Sequence, residues 1–204
     1  VLFSSLVCGQ AVASAKPNIV IVLADDLGYG DLGCHGNAIV KTPHLDAFAR
    51  EAVEFSQFHV SPVCSPTRAS LMTGRYNFRT GVADVFRDAT RMDPAEVTMA
   101  ERLRDAGYAT GLFGKWHLGD DAERSPKAQG FDESLTFRGP AMPARQYFNP
   151  TLLHNGQPET IAGYCLDIYT DAANRFIREN RSRPCWVYLP ANLSHTAKFV
   201  AAVW

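Results

Sequence analysis

The stretch NIVIVLADDLGYGD, residues 18–31, decides how this chain is read. Asn18 to Ala24 is a continuous β-branched and aliphatic run, the pattern of a strand buried on both faces. It stops at Asp25 and Asp26, which open a Gly-rich acidic loop. Two adjacent carboxylates at the end of an apolar strand are costly unless a cation or hydrogen-bond donors neutralise them. Hard divalent ions, Ca2+ or Mg2+, take such oxygen ligands, and a solvated loop or helix cap is the competing reading.

Working outward, Thr42 and Pro43 read as the N-cap and first residue of a helix whose apolar face is Leu45, Phe48, Ala49 and Ala52. Val53 to His59 alternates apolar and polar residues, which predicts a second strand. Pro66 suits the first turn of another helix and Gly74 its C-terminal stop. Thr98 to Glu101 forms a capping box ahead of a helix that Gly107 ends. A strand over 108–116 follows, with Lys115 and His117 at its end and pointing to one side of an extended segment. Residues 125–157 read as a long excursion with at most short elements. A helix over 167–180, carrying Ile168, Ala172, Phe176 and Ile177, precedes a strand over 185–189. Alternating helices and buried strands predict an α/β fold, a largely parallel sheet with helices on both faces. In such sheets ligands bind beyond the carboxyl ends of the strands. Asp25, Asp26, Cys64, Lys115, His117 and His195 each follow a predicted strand, so one sheet edge could collect them.

The chain has 204 residues, with 20 Lys and Arg against 21 Asp and Glu, a net charge of −1. That balance lacks the basic excess or basic block that nucleic-acid and anionic-membrane surfaces leave in a sequence. With 46% hydrophobic and 20% charged residues, the composition is that of a folded interior rather than a disordered chain. Residues 1–15 are apolar and small and end in Ala13-Ser14-Ala15, which reads as the clipped front of a secretory signal peptide, too short to span a bilayer. The expected location is therefore secreted or periplasmic, an oxidising setting. Without Cys8, the cysteines are Cys34, Cys64, Cys165 and Cys185, none in a C-x-x-C spacing that would suggest zinc.

Three clusters carry chemistry. Asp25 and Asp26 offer hard oxygen ligands. Cys64 and Arg68 stand four apart at a helix start, where exposed N–H groups and the helix dipole favour an anion and Arg adds a planar fork of donors. A buried structural cysteine near a surface Arg is the plainer account of that pair. Lys115 beside His117 pairs a cation with an imidazole, suited to anion binding and proton transfer.

Together these segments closely resemble the sulfatase family of type I, formylglycine-dependent enzymes. CSPTRASLMTGR, residues 64–75, is similar to the family's C-x-P-x-R signature, and GYAT with GKWHLG, within residues 107–119, to its second signature. Residues 17–31 and 42–46 match the family opening and its following helix, and the resemblance runs from about Lys16 to Thr196. Three motifs in the family's order make it specific. The resemblance implies an alkaline-phosphatase-like fold, with residues 16–204 the N-terminal part of a catalytic domain that is incomplete at its C-terminus. It implies that a maturation enzyme oxidises Cys64 to formylglycine, whose hydrate attacks the sulfur of a sulfate ester such as an aryl sulfate or sulfated glycan. The second hydroxyl then drives elimination of sulfate. Carried over by motif, Asp25, Asp26 and an oxygen of residue 64 would bind Ca2+ or Mg2+. Arg68 and Lys115 would hold gem-diol or sulfate oxygens, His117 would take the diol proton, and His195 would bind sulfate and protonate the leaving alcohol.

The resemblance places an Asp-Asn pair and a further sulfate-binding Lys beyond the point where this sequence stops, so this polypeptide alone is expected to be inactive. Residues 197–199, Ala-Lys-Phe, stand where the family commonly has Pro. Two other readings compete. A phosphomonoesterase or phosphodiesterase of the alkaline phosphatase superfamily would use Ser or Thr with transition metals, which Cys64 argues against. A non-catalytic binding protein on the same scaffold would leave Cys64 unmodified.

Overall fold

In a computed structural model of the chain, residues 16–85, 87–143, 146–192 and 195 are described. The proposed signal peptide, Ser194, Thr196 and the C-terminal run lie outside them. β1, Ile19–Leu23, does not follow the expectation of burial on both faces. Ile19, Ile21 and Leu23 pack into a core, while Val20 and Val22 are 52% and 68% exposed on the other face. The reason is position: β1 is at the edge of the sheet, and among the described residues a core packs on one of its faces only.

The sheet has six strands in the order β1-β6-β2-β3-β4-β5, with β2 Ala109–Phe113, β3 Glu133–Thr136, β4 Thr151–His154, β5 Gln157–Thr160 and β6 Cys185–Pro190. β1, β6, β2 and β3 run parallel, and β4 and β5 add an antiparallel edge. Along the central strands, side chains alternate between two cores. Ala109, Phe113, Cys185 and Val187 face helix α4, Cys165–Glu179, which contributes Tyr169, Ala172, Ala173 and Phe176. Leu112, Trp186 and Tyr188 face the other way, onto Ala69 and Met72 of α2, Cys64–Thr73, and Ala100 of α3, Met99–Asp105. Helices thus cover both faces, as the alternation of elements predicts. Phe131, stacked on Trp186 at 5.2 Å and edge-on to Trp116 at 5.8 Å, fills the second core.

Local signals placed most boundaries. Thr98 and Glu101 form a reciprocal capping box, Glu101 N donating to Thr98 Oγ1 at 3.2 Å and Thr98 N to Glu101 Oε2 at 2.8 Å. Gly74, at φ 66°, closes α2. Two further expectations need correction. The segment 53–59 is irregular, with Val53, Phe55, Phe58 and Val60 exposed, because an alternating pattern needs a neighbouring strand and it pairs with none among the described residues. In α1, Pro43–Glu51, Thr42 does not cap: its hydroxyl donates to Asp46 Oδ1 at 2.7 Å and accepts from Gly33 N. Leu45 and Phe48 of that helix are exposed. The 125–157 excursion holds only short elements, as expected: β3, and β4, which pairs with β5 just beyond it in a hairpin whose Asn155-Gly156 loop has φ 50° and 86°, the mirror-image turn that matches strand twist.

Candidate active site

The carboxyl ends of β1, β6 and β2 lie side by side. Ala191 N donates to Leu23 O and Lys115 N to Pro190 O, both at 2.8 Å, so the residues just after these strands share one edge. Asp25 enters from β1 and Lys115 from β2. Lys115 Nζ donates to Asp25 Oδ2 at 2.8 Å, and Arg68 of α2 reaches Asp25 Oδ1 at 3.3 Å. All three side chains are buried, at 2% or less exposure. One carboxylate between two cations leaves a local charge excess of +1, which in a low-dielectric setting favours an anion.

Cys64 is the first residue of α2 and sits against this group. Its Sγ lies 3.4 Å from Lys115 Nζ and 3.3 Å from His117 Nδ1. The approach differs from the sequence expectation in two ways. Cys64 follows an irregular segment rather than a strand. β2 ends at Phe113, and His117 has φ 60°, so Lys115 and His117 converge on Cys64 through a turned loop and not along an extended strand. Asp26 shares that left-handed conformation at φ 59°. Strained non-glycine backbone of this kind gathers at functional sites.

Burial first, then the Lys115 and Arg68 charges, push the His117 imidazole down from its usual 6.5 to about 3, so it is neutral near pH 7. Its Nε2 and Arg68 Nε are buried without a hydrogen-bond partner among the described residues. A neutral base and the Lys115 ammonium therefore border the same sulfur. His195 lies on the outer side, its Nε2 3.7 Å from Asp26 Oδ2. Asp26 is half exposed.

Two supporting residues escape a sequence reading. Ser65 Oγ donates to His117 O at 2.8 Å, fixing the turned loop, and Tyr188 OH lies 3.4 Å from Arg68 NH1. Arg68 NH1 also donates to Lys115 O at 2.8 Å. Ser65 is visible only as an unassigned position of the Cys64 motif, and Tyr188 only as one of several β6 aromatics. Cys34, Cys64, Cys165 and Cys185 are all free thiols.

The sequence profile of the family described as Sulfatase matches residues 17–202. The chain belongs to the sulfatase family. Mouse steryl-sulfatase is 45% identical over 138 residues, 60% of this chain and 22% of that protein. Human arylsulfatase A is 46% identical over 140 residues, 66% of this chain and 27% of that protein. The sulfatase chain thus spans about a quarter of the length of these curated relatives. Among solved structures, Ps i-CgsB in complex with k-i-k-neocarrahexaose has a TM-score of 0.79 at 31% identity, covering 89% of this chain and 46% of that one. BT4656, solved with its substrate D-glucosamine-2-N,6-O-disulfate, has a TM-score of 0.77 at 28% identity, covering 89% and 35%. These neighbours share the α/β sheet described above. Among the described residues of this sulfatase chain, no group of three or more His, Cys, Asp and Glu is placed to hold a metal.

Proposed function

We propose that this chain carries the nucleophile, anion-binding and proton-transfer groups of a sulfate-ester hydrolase. The observation that carries the reading is Cys64 at a helix start, within 3.4 Å of both Lys115 Nζ and His117 Nδ1, beside a buried cluster with one net positive charge. Family membership supports it, as does a structural neighbour solved with its substrate D-glucosamine-2-N,6-O-disulfate.

Residue 64, once oxidised to formylglycine by a maturation enzyme and hydrated, would supply a hydroxyl nucleophile to sulfur. The rest is done by this chain's own side chains. Lys115 and Arg68 hold sulfate oxygens and offset the charge that builds on them, and Asp25 keeps both cations aimed inward. His117, neutral at pH 7, accepts a proton from the group on residue 64 through Nδ1, with Ser65 fixing its loop. His195, on the solvent side, protonates the leaving alcohol. Asp25 and Asp26, with an oxygen of residue 64, would be the donors for Ca2+ or Mg2+. Their hard oxygens suit such a cation, which would supply Lewis-acid polarisation there. They supply only part of the six to eight oxygens Ca2+ takes, and Lys115 and Arg68 engage both oxygens of Asp25. The apolar, small-residue stretch ending at Ala15 supports export to a secreted or periplasmic location. No helix among the described residues is long and apolar enough to cross a membrane.

Peptide mass spectrometry across residue 64, after co-expression with a formylglycine-generating enzyme, tests the reading. Conversion of the thiol to an aldehyde is the expected result. A residue that stays a thiol sinks the mechanism, and phosphate-ester turnover without conversion would favour a phosphoesterase.

A further inference from the structure

His117 meets Cys64 from a backbone conformation that a residue with a side chain seldom adopts, φ 60°. Such a conformation persists where the surroundings fix it from several sides. Ser65 holds it from α2, through the bond to His117 O at 2.8 Å. The residues on either side of His117 are held from elsewhere in the chain. Trp116 Nε1 donates to Arg124 O at 2.8 Å, Arg124 Nε donates to Met92 O at 2.8 Å, and Met92 N donates to Leu118 O at 3.1 Å. These bonds run from residue 116 to residue 118 by way of 124 and 92, a ring that His117 itself closes. Trp116, Met92 and Leu118 are buried, so water competes little for the bonds and each is stronger for it.

Arg124 is the member of the ring that joins the others. Its carbonyl accepts from Trp116 and its guanidinium donates to Met92. Its stem lies against Gly119, two residues past His117, where an added Cβ would fall 2.6 Å from Arg124 Cβ and 2.7 Å from its Cδ. At the surface, NH1 donates to Asp121 Oδ2 and the Arg124 amide to Asp121 Oδ1, both at 3.1 Å. The planar fork is thus held between a buried carbonyl and a surface carboxylate, a geometry that a flexible ammonium does not reproduce. A plainer account is that these bonds only satisfy buried polar groups and close a loop, with no bearing on where the imidazole stands. The two accounts differ in what the loss of the guanidinium moves.

We propose that Arg124 is a positioning residue for His117, clamping both flanks of the turned loop so that the imidazole faces residue 64. What His117 does there rests on the sulfate-ester reading above. The test is NMR spectroscopy of the full chain, reading the cross-relaxation peak between the His117 ring and the Cys64 β-protons, with the Lys115 amide as the reporter of the strand end. Arg124→Met keeps the stem against Gly119 and removes the guanidinium. It should weaken the His117–Cys64 peak severalfold and leave the Lys115 amide in place. Arg124→Lys returns one donor for Met92 O and should recover part of the peak. Trp116→Phe opens the ring at a different bond, keeps an aromatic side chain against Phe131, and should also weaken the peak. It decides the question if Arg124→Met does not fold. A lower Tm with the peak intact, or loss of the peak together with a shift of the Lys115 amide, overturns the positioning role and leaves Arg124 a residue of the fold. The sulfate-ester reading fails separately, by a residue 64 that stays a thiol in the mass spectrum, and that result leaves the cross-relaxation measurement of Arg124 unchanged.

Discussion

Asp25 is the one carboxylate between the Arg68 and Lys115 cations, and all three are buried. Removing its charge leaves two buried cations facing each other, a change that in buried pairs costs about 3–5 kcal/mol. Asp25→Asn should therefore lower Tm by on the order of 10 °C in a scanning measurement, given about 2–4 °C per kcal/mol for a chain of this size. A shift of only a degree or two would mean the cluster is more hydrated than its burial indicates. His117 gives the site a pH signature. Its folded value, about 3, lies below the unfolded 6.5, so the unfolded chain binds the extra proton first as pH falls. Its contribution to stability is intact above about 6.5 and is lost as pH drops toward 3, at up to roughly 1.4 kcal/mol per pH unit. Urea denaturation from pH 7 to 4 should show that slope, and His117→Asn should flatten it. At this scale the residue types were legible: Asp25, Cys64, Arg68, Lys115 and His117 do meet. Their pairing was not, because spacing along the chain cannot show that Asp25 neutralises Arg68 and Lys115 from 43 and 90 residues away.

The element that sets Lys115 is the end of β2. Gly114 lies there at φ 135°, its N–H donating to Leu135 O at 2.9 Å. A Cβ built on it would fall 2.0 Å from Pro190 O, the carbonyl that accepts from Lys115 N. Both backbone conformation and space therefore exclude a side chain. Gly114→Ala should destabilise the chain by about 3 kcal/mol or more and push β6 away from β2. Hydrogen exchange should then show the Lys115 amide losing protection ahead of the α4 amides, and uniform loss across the molecule would contradict this placement. Strands and helices with strong local signals were readable: the Thr98 capping box, the Gly74 stop and the α4 periodicity all stand in the structure. Elements whose existence depends on a neighbour were not. The 53–59 segment alternates like a strand but has no pairing partner among the described residues, and the β4–β5 hairpin hid in a stretch judged by its Pro and Gly content.

At the scale of the whole molecule, the two cores are unequal in their cover. Around α4 the sheet face is closed, with Phe113 and Phe176 in contact at 5.6 Å between ring centres. On the β1 side, Val20, Val22, Phe58 and Val60 are exposed, the last three bordering a groove of about 1100 Å3. β1 is also an edge strand, so its outer backbone groups lie beside that apolar surface. Contiguous apolar surface next to an open strand edge favours association through both burial and strand pairing. The chain should therefore bind the dye ANS while folded and show a sedimentation coefficient that rises with concentration. Val22→Lys places a charge on the exposed face of the edge strand, where it opposes pairing at little cost to the core that Ile21 and Leu23 fill. Together with Phe58→Ser it should reduce dye binding severalfold and remove the concentration dependence, with Tm within a few degrees of the parent. Dye binding unchanged in the double variant would place the accessible apolar surface elsewhere, with α1 and its exposed Leu45 and Phe48 the next region to alter.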